Sequence, residues 1–363
     1  TVGTNVPRLD YSDSQCPQLL LEPARTNLIT DSNDFNAASW GVVGGGTGSV
    51  PIITPNYGNS PEGINNATRL QLSLNGGSST SDRSGIQSAK VNASADSTTC
   101  KTIWIKSNDS NTYTLNLLEG TGAGSNVGQS VTALPNAWTR VSNIGTVSGI
   151  ESRLTLSLDN RFGVSVSDTA DVLIYGAQLE EGAYPTSYIP TDGATATRLA
   201  DNLGTTFGTP FSTANGGAFY IELEGQVGAA GSGATFLRFQ QVGGTYVGVL
   251  HNGNVWRVRL QSPSGGTILQ SSPVSVNDSI KICVTWSSSG YSMYANGLKF
   301  KSGNGDFSDF TSIVSLICAS DEQTGDVRMG ETALFPSALS DAECYDLTSK
   351  KITTYKELAK ELN

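Results

Sequence analysis

The sequence predicts an all-β protein, with two antiparallel β-sandwich (jelly-roll) domains in tandem and a short helical segment at the C-terminus. Three observations lead there. Polar and apolar residues alternate in many short runs, which is the period of a half-buried strand. Clusters such as Gly44-Gly45-Gly46 and Asn75-Gly76-Gly77 separate these runs as turns. Hydrophobic residues make up 37% of the chain and charged residues only 15%. Disorder pairs low hydrophobicity with high charge, so this polar excess belongs to Ser, Thr, Asn and Gly in turns and on outer strand faces. A chain of 363 residues exceeds one compact core and suits two ordinary domains.

Residues 1–30 read as an extended lead-in. Pro7, Pro17 and Pro23 each remove a backbone donor, so the stretch is expected to lie across a domain and not to form a central strand. Residues 31–195 form the first domain. Lys101–Lys106 puts Ile103 and Ile105 on one face, Thr112–Leu117 turns Tyr113, Leu115 and Leu117 inward, and Arg153–Leu158 alternates in the same way. Asp171–Gly176 is nearly all apolar, as in a strand covered on both faces. Pro185, Pro190, Gly193, Gly208, Pro210 and Gly216 crowd a polar joint. Residues 210–350 form the second domain, where Phe219, Ile221 and Leu223, then Trp256, Val258 and Leu260, then Ile282, Val284 and Trp286 share inward faces. Asn296-Gly297 spells a two-residue hairpin turn. Ser340-Asp341-Ala342-Glu343 has the form of a capping box, and Tyr355, Leu358 and Leu362 recur at helical spacing, so a helix is expected to fill 351–363.

The formal net charge of −10 argues against a nucleic-acid partner, which would want a basic surface. No apolar run approaches the length of a membrane span, so no membrane insertion is expected. Five cysteines, Cys16, Cys100, Cys283, Cys318 and Cys344, are scattered and odd in number. They read as idle thiols in a reducing compartment and not as a disulfide framework or zinc site. His251 is the sole histidine and stands beside the turn signal Asn252-Gly253, so it reads as a solvated loop residue. A Ser-His-Asp centre would have to use it, and multi-histidine zinc sites are excluded.

Pro7-Arg8-Leu9-Asp10-Tyr11 and Leu19-Leu20-Leu21-Glu22-Pro23-Ala24-Arg25-Thr26-Asn27-Leu28 resemble a motif recurring in tail-fibre, head-fibre and minor structural (spike) proteins of bacteriophages. In that group the motif leads into a jelly roll similar to carbohydrate-binding modules. The jelly roll ends in a strand like Ile174–Gly182, then Tyr188-Ile189-Pro190-Thr191. The second domain resembles laminin-G and concanavalin A-like sandwiches through Ile282–Trp286, Tyr294–Gly297, Met329–Phe335 and Ala338–Glu343. The resemblance implies an adhesive or structural virion component on the particle exterior, assembled in the bacterial cytoplasm. Its implied partners are other virion proteins, further copies of itself in a homotrimer, and host surface glycan. A ligand-free spacer is the alternative. Thr1 fits either a trimmed initiator or a longer upstream product.

A polysaccharide-degrading enzyme is the catalytic rival. Glycoside hydrolysis needs two carboxylates, and Glu222 and Glu224 share a strand face. The resembling glucanases carry a third acid in an acidic strand, whereas here Gly225-Gln226-Val227 follows, so the pair is expected to be a solvated face and no catalytic residue is assigned. Laminin-G-type domains often hold calcium at a sandwich rim, and Asp321 and Asp326 in an acidic loop are the candidates for such a structural ion; a plain exposed loop is the competing reading, and no other cofactor is expected. Exposed aromatics stack on sugar faces, and Trp40, Tyr57, Tyr246 and Tyr291 near turns are the ligand candidates. Trp104, Trp138, Trp256 and Trp286 lie within strand patterns and are expected in cores.

Overall fold

A computed structural model describes residues 8–10, 18–94, 97–119, 127–146, 151–162, 166–213, 216–226, 232–252, 255–262, 266–275, 278–307, 309–319 and 326–349. Among the described residues the fold is all-β, with antiparallel sheets packed as sandwiches and one short α-helix. It divides into two units: Arg25–Leu199, and a discontinuous unit of Thr1–Ala24 with Ala200–Asn363. The first is therefore an insertion within the second. The segment read as an irregular lead-in supplies strands β1 (Leu9–Asp10) and β2 (Gln18–Leu21) to the discontinuous unit, and a helix over 351–363 lies outside the described residues.

In the inserted unit the strands are β3 (Arg25–Asn27), β4 (Trp40–Gly45), β5 (Ile52–Asn59), β6 (Asn65–Ser73), β7 (Arg83–Ser88), β8 (Val91–Asn92), β9 (Thr98–Ser107), β10 (Tyr113–Glu119), β11 (Val127–Ala133), β12 (Thr139–Thr146), β13 (Glu151–Ser152), β14 (Leu154–Asp159), β15 (Thr169–Glu181) and β16 (Ala196–Arg198). One five-stranded sheet runs β11-β10-β14-β7-β4, the other β12-β9-β15-β6-β5. Their inner faces meet in a core that holds Ile103, Ile105, Leu115, Leu117, Leu154, Leu156, Val172 and Ile174, all fully buried. This is the set that alternation selects, because every second side chain of a strand faces one way.

The discontinuous unit continues with β17 (Asn202–Ser212), β18 (Gly217–Gln226), β19 (Ser232–Gln241), β20 (Tyr246–Asn252), β21 (Val255–Ser262), β22 (Gly266–Ser275), β23 (Ile280–Ser287), β24 (Gly290–Ala295), β25 (Leu298–Gly303), β26 (Ser312–Ala319) and β27 (Asp326–Phe335). A seven-stranded sheet runs β1-β2-β27-β18-β23-β24-β25, and a six-stranded sheet β17-β26-β19-β20-β21-β22. The core between them holds Phe219, Ile221, Trp256, Val258, Val284 and Trp286. Trp286 meets Phe310 edge-on at 5.3 Å. Asn296 and Gly297 both adopt positive φ, at 46° and 77°, and turn β24 into β25 as their sequence requires. Helix α1 (Asp341–Thr348) begins in a complete capping box between Ser340 and Glu343. It seats Cys344 in a small cluster with Tyr220, Cys283 and Tyr294.

A clasp of charges holds the points where the chain leaves and re-enters this unit. Arg8 bonds Glu22 through one guanidinium nitrogen and Asp201 through another. Asp201 also accepts the Glu22 amide at 2.7 Å, and its own amide donates to the Glu22 carbonyl at 2.9 Å. Asp10 pairs with Arg328 at 2.6 Å, which ties β1 to β27. Glu22 is only 1% exposed. Removing one member of a buried ion pair strands the other, at a cost of about 3–5 kcal/mol.

Two surface turns of the inserted unit depend on ionised aspartates. Asp82 accepts the amides of Thr47 and Ser79 at 2.8 and 2.7 Å, which hold its carboxyl down at about 2. Asp109 accepts the Tyr113 hydroxyl at 2.7 Å and the Asn111 amide at 2.8 Å, and is likewise held at about 2. Carboxylates depressed on folding stabilise above their unfolded pKa near 4 and lose that contribution as pH falls toward 2.

Two outcomes are expected. Arg8→Met should cost about 3–5 kcal/mol in urea unfolding, and Arg8→Met with Glu22→Gln should recover part of that loss; a single-variant loss below about 1 kcal/mol would show that the clasp does not hold the strands. Stability should fall between pH 4 and pH 2, and Asp82→Asn should flatten that fall while lowering stability at neutral pH.

Candidate functional site

The outward face of the β12-β9-β15-β6-β5 sheet gathers aromatic side chains. The inward residues of β9 are Ile103 and Ile105, so Thr102, Trp104 and Lys106 point outward. Register sets Trp104 opposite Arg140 of β12 on one side and Tyr175 of β15 on the other. The next row runs Lys106, Leu173, Arg69, Thr54. Trp104 is half-buried, whereas Tyr175 is almost fully buried. Tyr188, from the segment after β15, packs edge-on against Tyr175 at 5.6 Å. At the far edge Tyr57 is 47% exposed and lies over the Arg69 guanidinium at 4.8 Å. Arg69 is fixed by a two-pronged bond to Asp171 at 2.8 and 2.5 Å. The strand of Tyr57 is three positions from that of Trp104, roughly 14 Å at ordinary inter-strand spacing.

A bulge in β15 makes this arrangement possible. The register with β9 shifts between Tyr175 and Gln178. Gly176 there takes φ +65°, and a Cβ would stand 3.1 Å from Trp104 and 3.4 Å from Tyr188. Only glycine adopts that backbone freely and leaves room for both rings.

Beside it lies a buried polar lattice. Asn27 is fully buried; its amide donates to the carbonyls of Ala177 and Ile189 at 3.1 and 2.9 Å, and its oxygen accepts from Ile29 and Leu179. Gln178 accepts the Ile189 amide at 2.7 Å and donates to Glu180 at 2.8 Å. Glu180 also accepts the amide and hydroxyl of Thr186. Ser32 bonds the Tyr188 hydroxyl and Thr191. Arg140 spans to the Thr186 carbonyl at 2.6 Å and the Thr102 hydroxyl at 2.9 Å. These bonds pin residues 184–191 against β15, which sets Tyr188 over the sheet. Burial pushes the Tyr188 hydroxyl up to about 12 and raises that of Tyr175, helped there by a hydrogen bond to Glu62. Both stay neutral donors across the physiological range.

The four aromatic candidates do not converge. Trp40 packs on Phe35 in the core of the inserted unit and donates its indole N–H to the Asp31 carbonyl at 2.7 Å. Tyr246 is buried on β20, where its hydroxyl accepts from Arg259 at 2.6 Å. Tyr291 is buried against Phe307 at 5.6 Å, beneath a polar cleft of about 400 Å³ lined by Ser287, Ser292, Asn304 and Asp341. Tyr57 alone stands on the aromatic face. Two of the four tryptophans expected in cores are elsewhere: Trp104 and Trp138 are half-buried on outward positions, and Trp138 donates to the Asn59 carbonyl at 3.2 Å. Alternation from Ile103 and Ile105 already placed Trp104 outward, and that was the usable signal.

His251 is not a solvated loop residue. It is fully buried at the end of β20, opposite Trp256. The alternation of Val247 and Val249 carries inward to residue 251, one position before the turn signal. Glu222 and Glu224 border a cleft of about 210 Å³ with Lys281 and Asn296. Burial alone would raise the Glu222 carboxyl, but bonds from Lys281 at 2.8 Å and the Tyr220 hydroxyl at 2.6 Å outweigh it and hold the group below the usual range. A general acid would need the opposite shift. Asp321 lies outside the described residues; Asp326 opens β27. Among the described residues no group of three metal-binding side chains occurs. Cys100, Cys283, Cys318 and Cys344 are free and buried.

No model of a known protein family matches the chain, and no curated protein matches it. Solved structures similar to it include a SAP-like pentraxin from Limulus polyphemus, with 10% identity and TM-score 0.32 over 40% of this chain and 73% of the pentraxin. The family 11 carbohydrate-binding module from Clostridium thermocellum, solved with a β-1,3-1,4-mixed-linked tetrasaccharide, gives 11% identity and TM-score 0.30 over 46% of this chain and 99% of the module. The binding domain of botulinum neurotoxin serotype G gives 13% identity and TM-score 0.31 over 40% of this chain and 39% of that one.

Proposed function

We propose that this chain is a non-catalytic, glycan-binding structural component of a bacteriophage particle, and that the aromatic sheet face of its inserted unit is the contact surface. The observation that carries the binding role is the row of Trp104 and Tyr175 with Tyr188 alongside, continued by the exposed Tyr57 over Arg69. Sugar rings offer C–H faces that pack on aromatic rings, while their hydroxyls bond the polar groups around them. Lys106, Arg69 and Glu62 supply such groups on this face. The phage setting is supported by the two quoted motifs at the start of the chain and at the end of the inserted unit. Such a face makes shallow contacts of modest affinity. Copies held in a homotrimer on the particle exterior would gain strength through avidity without new contacts. The non-catalytic reading is supported by the burial of His251 and by the ion pair that holds Glu222 ionised.

Titration calorimetry of the chain against neutral host-surface oligosaccharides should show binding that Trp104→Ala weakens at least tenfold, about 1.4 kcal/mol. Tyr345→Ala, exposed on α1, should leave it unchanged. Gly176→Ala should cost about 1–2 kcal/mol of stability in urea unfolding and weaken binding as Trp104 is displaced. Absence of binding by the native chain across a host glycan panel would favour the ligand-free spacer. Light scattering should give a mass near three times the 38.0 kDa chain.

A further inference from the structure

The opposite sheet of the inserted unit carries different chemistry. Its outward face holds a cleft of about 310 Å³ lined by Arg83, Arg153, Arg161, Gln87 and Thr155, with Val42 and Val43 along β4. Three arginines in one cleft stand out in a chain with 22 basic residues against 32 acidic ones. Among the described residues the lining includes no carboxylate. The acid behind it, Asp159, is fully buried and holds Arg161 in place with bonds of 2.9 Å to Nε and 2.6 Å to Nη2.

The other two guanidinium groups are also positioned by the fold. Arg153 donates one Nη1–H to the Gln87 side chain at 3.0 Å. Arg83 packs against Gly45, where a Cβ would stand 3.0 Å from its Cζ and Nε. Among the described residues no carboxylate pairs with Arg83 or Arg153. Register puts Thr155 opposite Gln87 and Asp159 opposite Arg83, so the cleft has two charged ends. Arg153 stands at one, Arg83 and Arg161 at the other. Gln87, which Arg153 bonds, and Arg83 are four strand residues apart, roughly 13 Å at the ordinary rise per residue.

We infer that this cleft binds an anionic polysaccharide, with sulfate or carboxylate groups on separate sugar units meeting its two ends. Arginine suits the task because its planar, weakly hydrated guanidinium makes paired bonds to oxyanions. Charges spaced along a chain fit two separated ends, where a single compact anion would engage one. Val43, opposite Gly85 on the outward face, offers the sugar ring between them an apolar contact. Held arginines lose little freedom on binding, which favours a site over a merely solvated surface. The inference does not rest on the aromatic face, since the two lie on different sheets.

The test uses size-fractionated dextran sulfate, unsulfated dextran and duplex DNA, each titrated into the full chain at several salt concentrations. Dextran sulfate should bind, with affinity falling steeply as salt rises, and unsulfated dextran should not bind this cleft. Arg83→Gln with Arg153→Gln should weaken dextran sulfate binding at least tenfold and flatten the salt slope, with the thermal midpoint unchanged. Arg83→Lys with Arg153→Lys should keep the salt dependence and bind between the native chain and the glutamine variant, which separates charge from misfolding. Trp104→Ala should leave it intact. The inference is overturned if the glutamine variant binds as tightly as the native chain, or if unsulfated dextran loses affinity equally in that variant. It is also overturned if duplex DNA matches dextran sulfate at equal charge concentration, which would assign the cleft to nucleic acid.

Discussion

A carboxylate that is almost fully buried cannot remain charged without a partner, and the fold of this chain turns on the partner found for Glu22. Arg8 supplies it and takes Asp201 with its second nitrogen. The Glu22 amide bonds the Asp201 carboxylate and the Asp201 amide bonds the Glu22 carbonyl, which completes the clasp. The chain therefore leaves the discontinuous unit and returns to it at one fixed point, and everything from Arg25 to Leu199 folds as an insertion. The inserted unit closes its own ends with the β3–β16 pairing, Thr26 opposite Thr197. Closely spaced termini are the usual condition for a domain to be inserted without disturbing its host.

The same economy of buried polar groups governs the aromatic face. Gln178, Glu180 and Thr186 satisfy one another, and backbone groups of Ile29, Ala177, Leu179 and Ile189 satisfy Asn27, in a region closed to water. In such surroundings each bond is strengthened by low dielectric, and each missing partner would be costly. The network fixes the segment that carries Tyr188, while the bulge at Gly176 opens space for Trp104 beside it. Most residues of the two quoted motifs thus act as scaffold: Arg8, Glu22, Arg25 and Asn27 from the first, Gln178 and Glu180 from the last.

The two sheets of the inserted unit share a core yet face outward with different chemistries. One shows rings, the other guanidinium groups. Strand alternation makes this possible, because inward positions are fixed by packing and outward positions are left to vary. The adhesive reading and the anion cleft draw on separate residues.

By itself, the sequence determined the β fold, the inward faces and several local devices. Alternation selected Ile103, Leu115, Leu156, Ile221, Val258 and Val284 for the cores, and all are buried. Asn296-Gly297 and the Ser340 capping box are local in cause, so they could be read from neighbouring residues alone. The turn signal Asn252-Gly253 suggested a solvated His251, but the inward alternation of Val247 and Val249 prevailed, and the histidine is buried. Only tertiary structure decided which distant strands became neighbours. Leu21 pairs with Val327, and Arg8 finds Asp201, across separations that no local pattern encodes. The aromatic row likewise arises from the register of β9 against β12 and β15, and the arginine cleft from the register of β7 against β14. Register is set by the global packing of two sheets, since a shift of one residue would turn every core side chain to water. That is why, of the residues in these two arrangements, sequence reasoning picked out Tyr57 and left the rest to the tertiary structure.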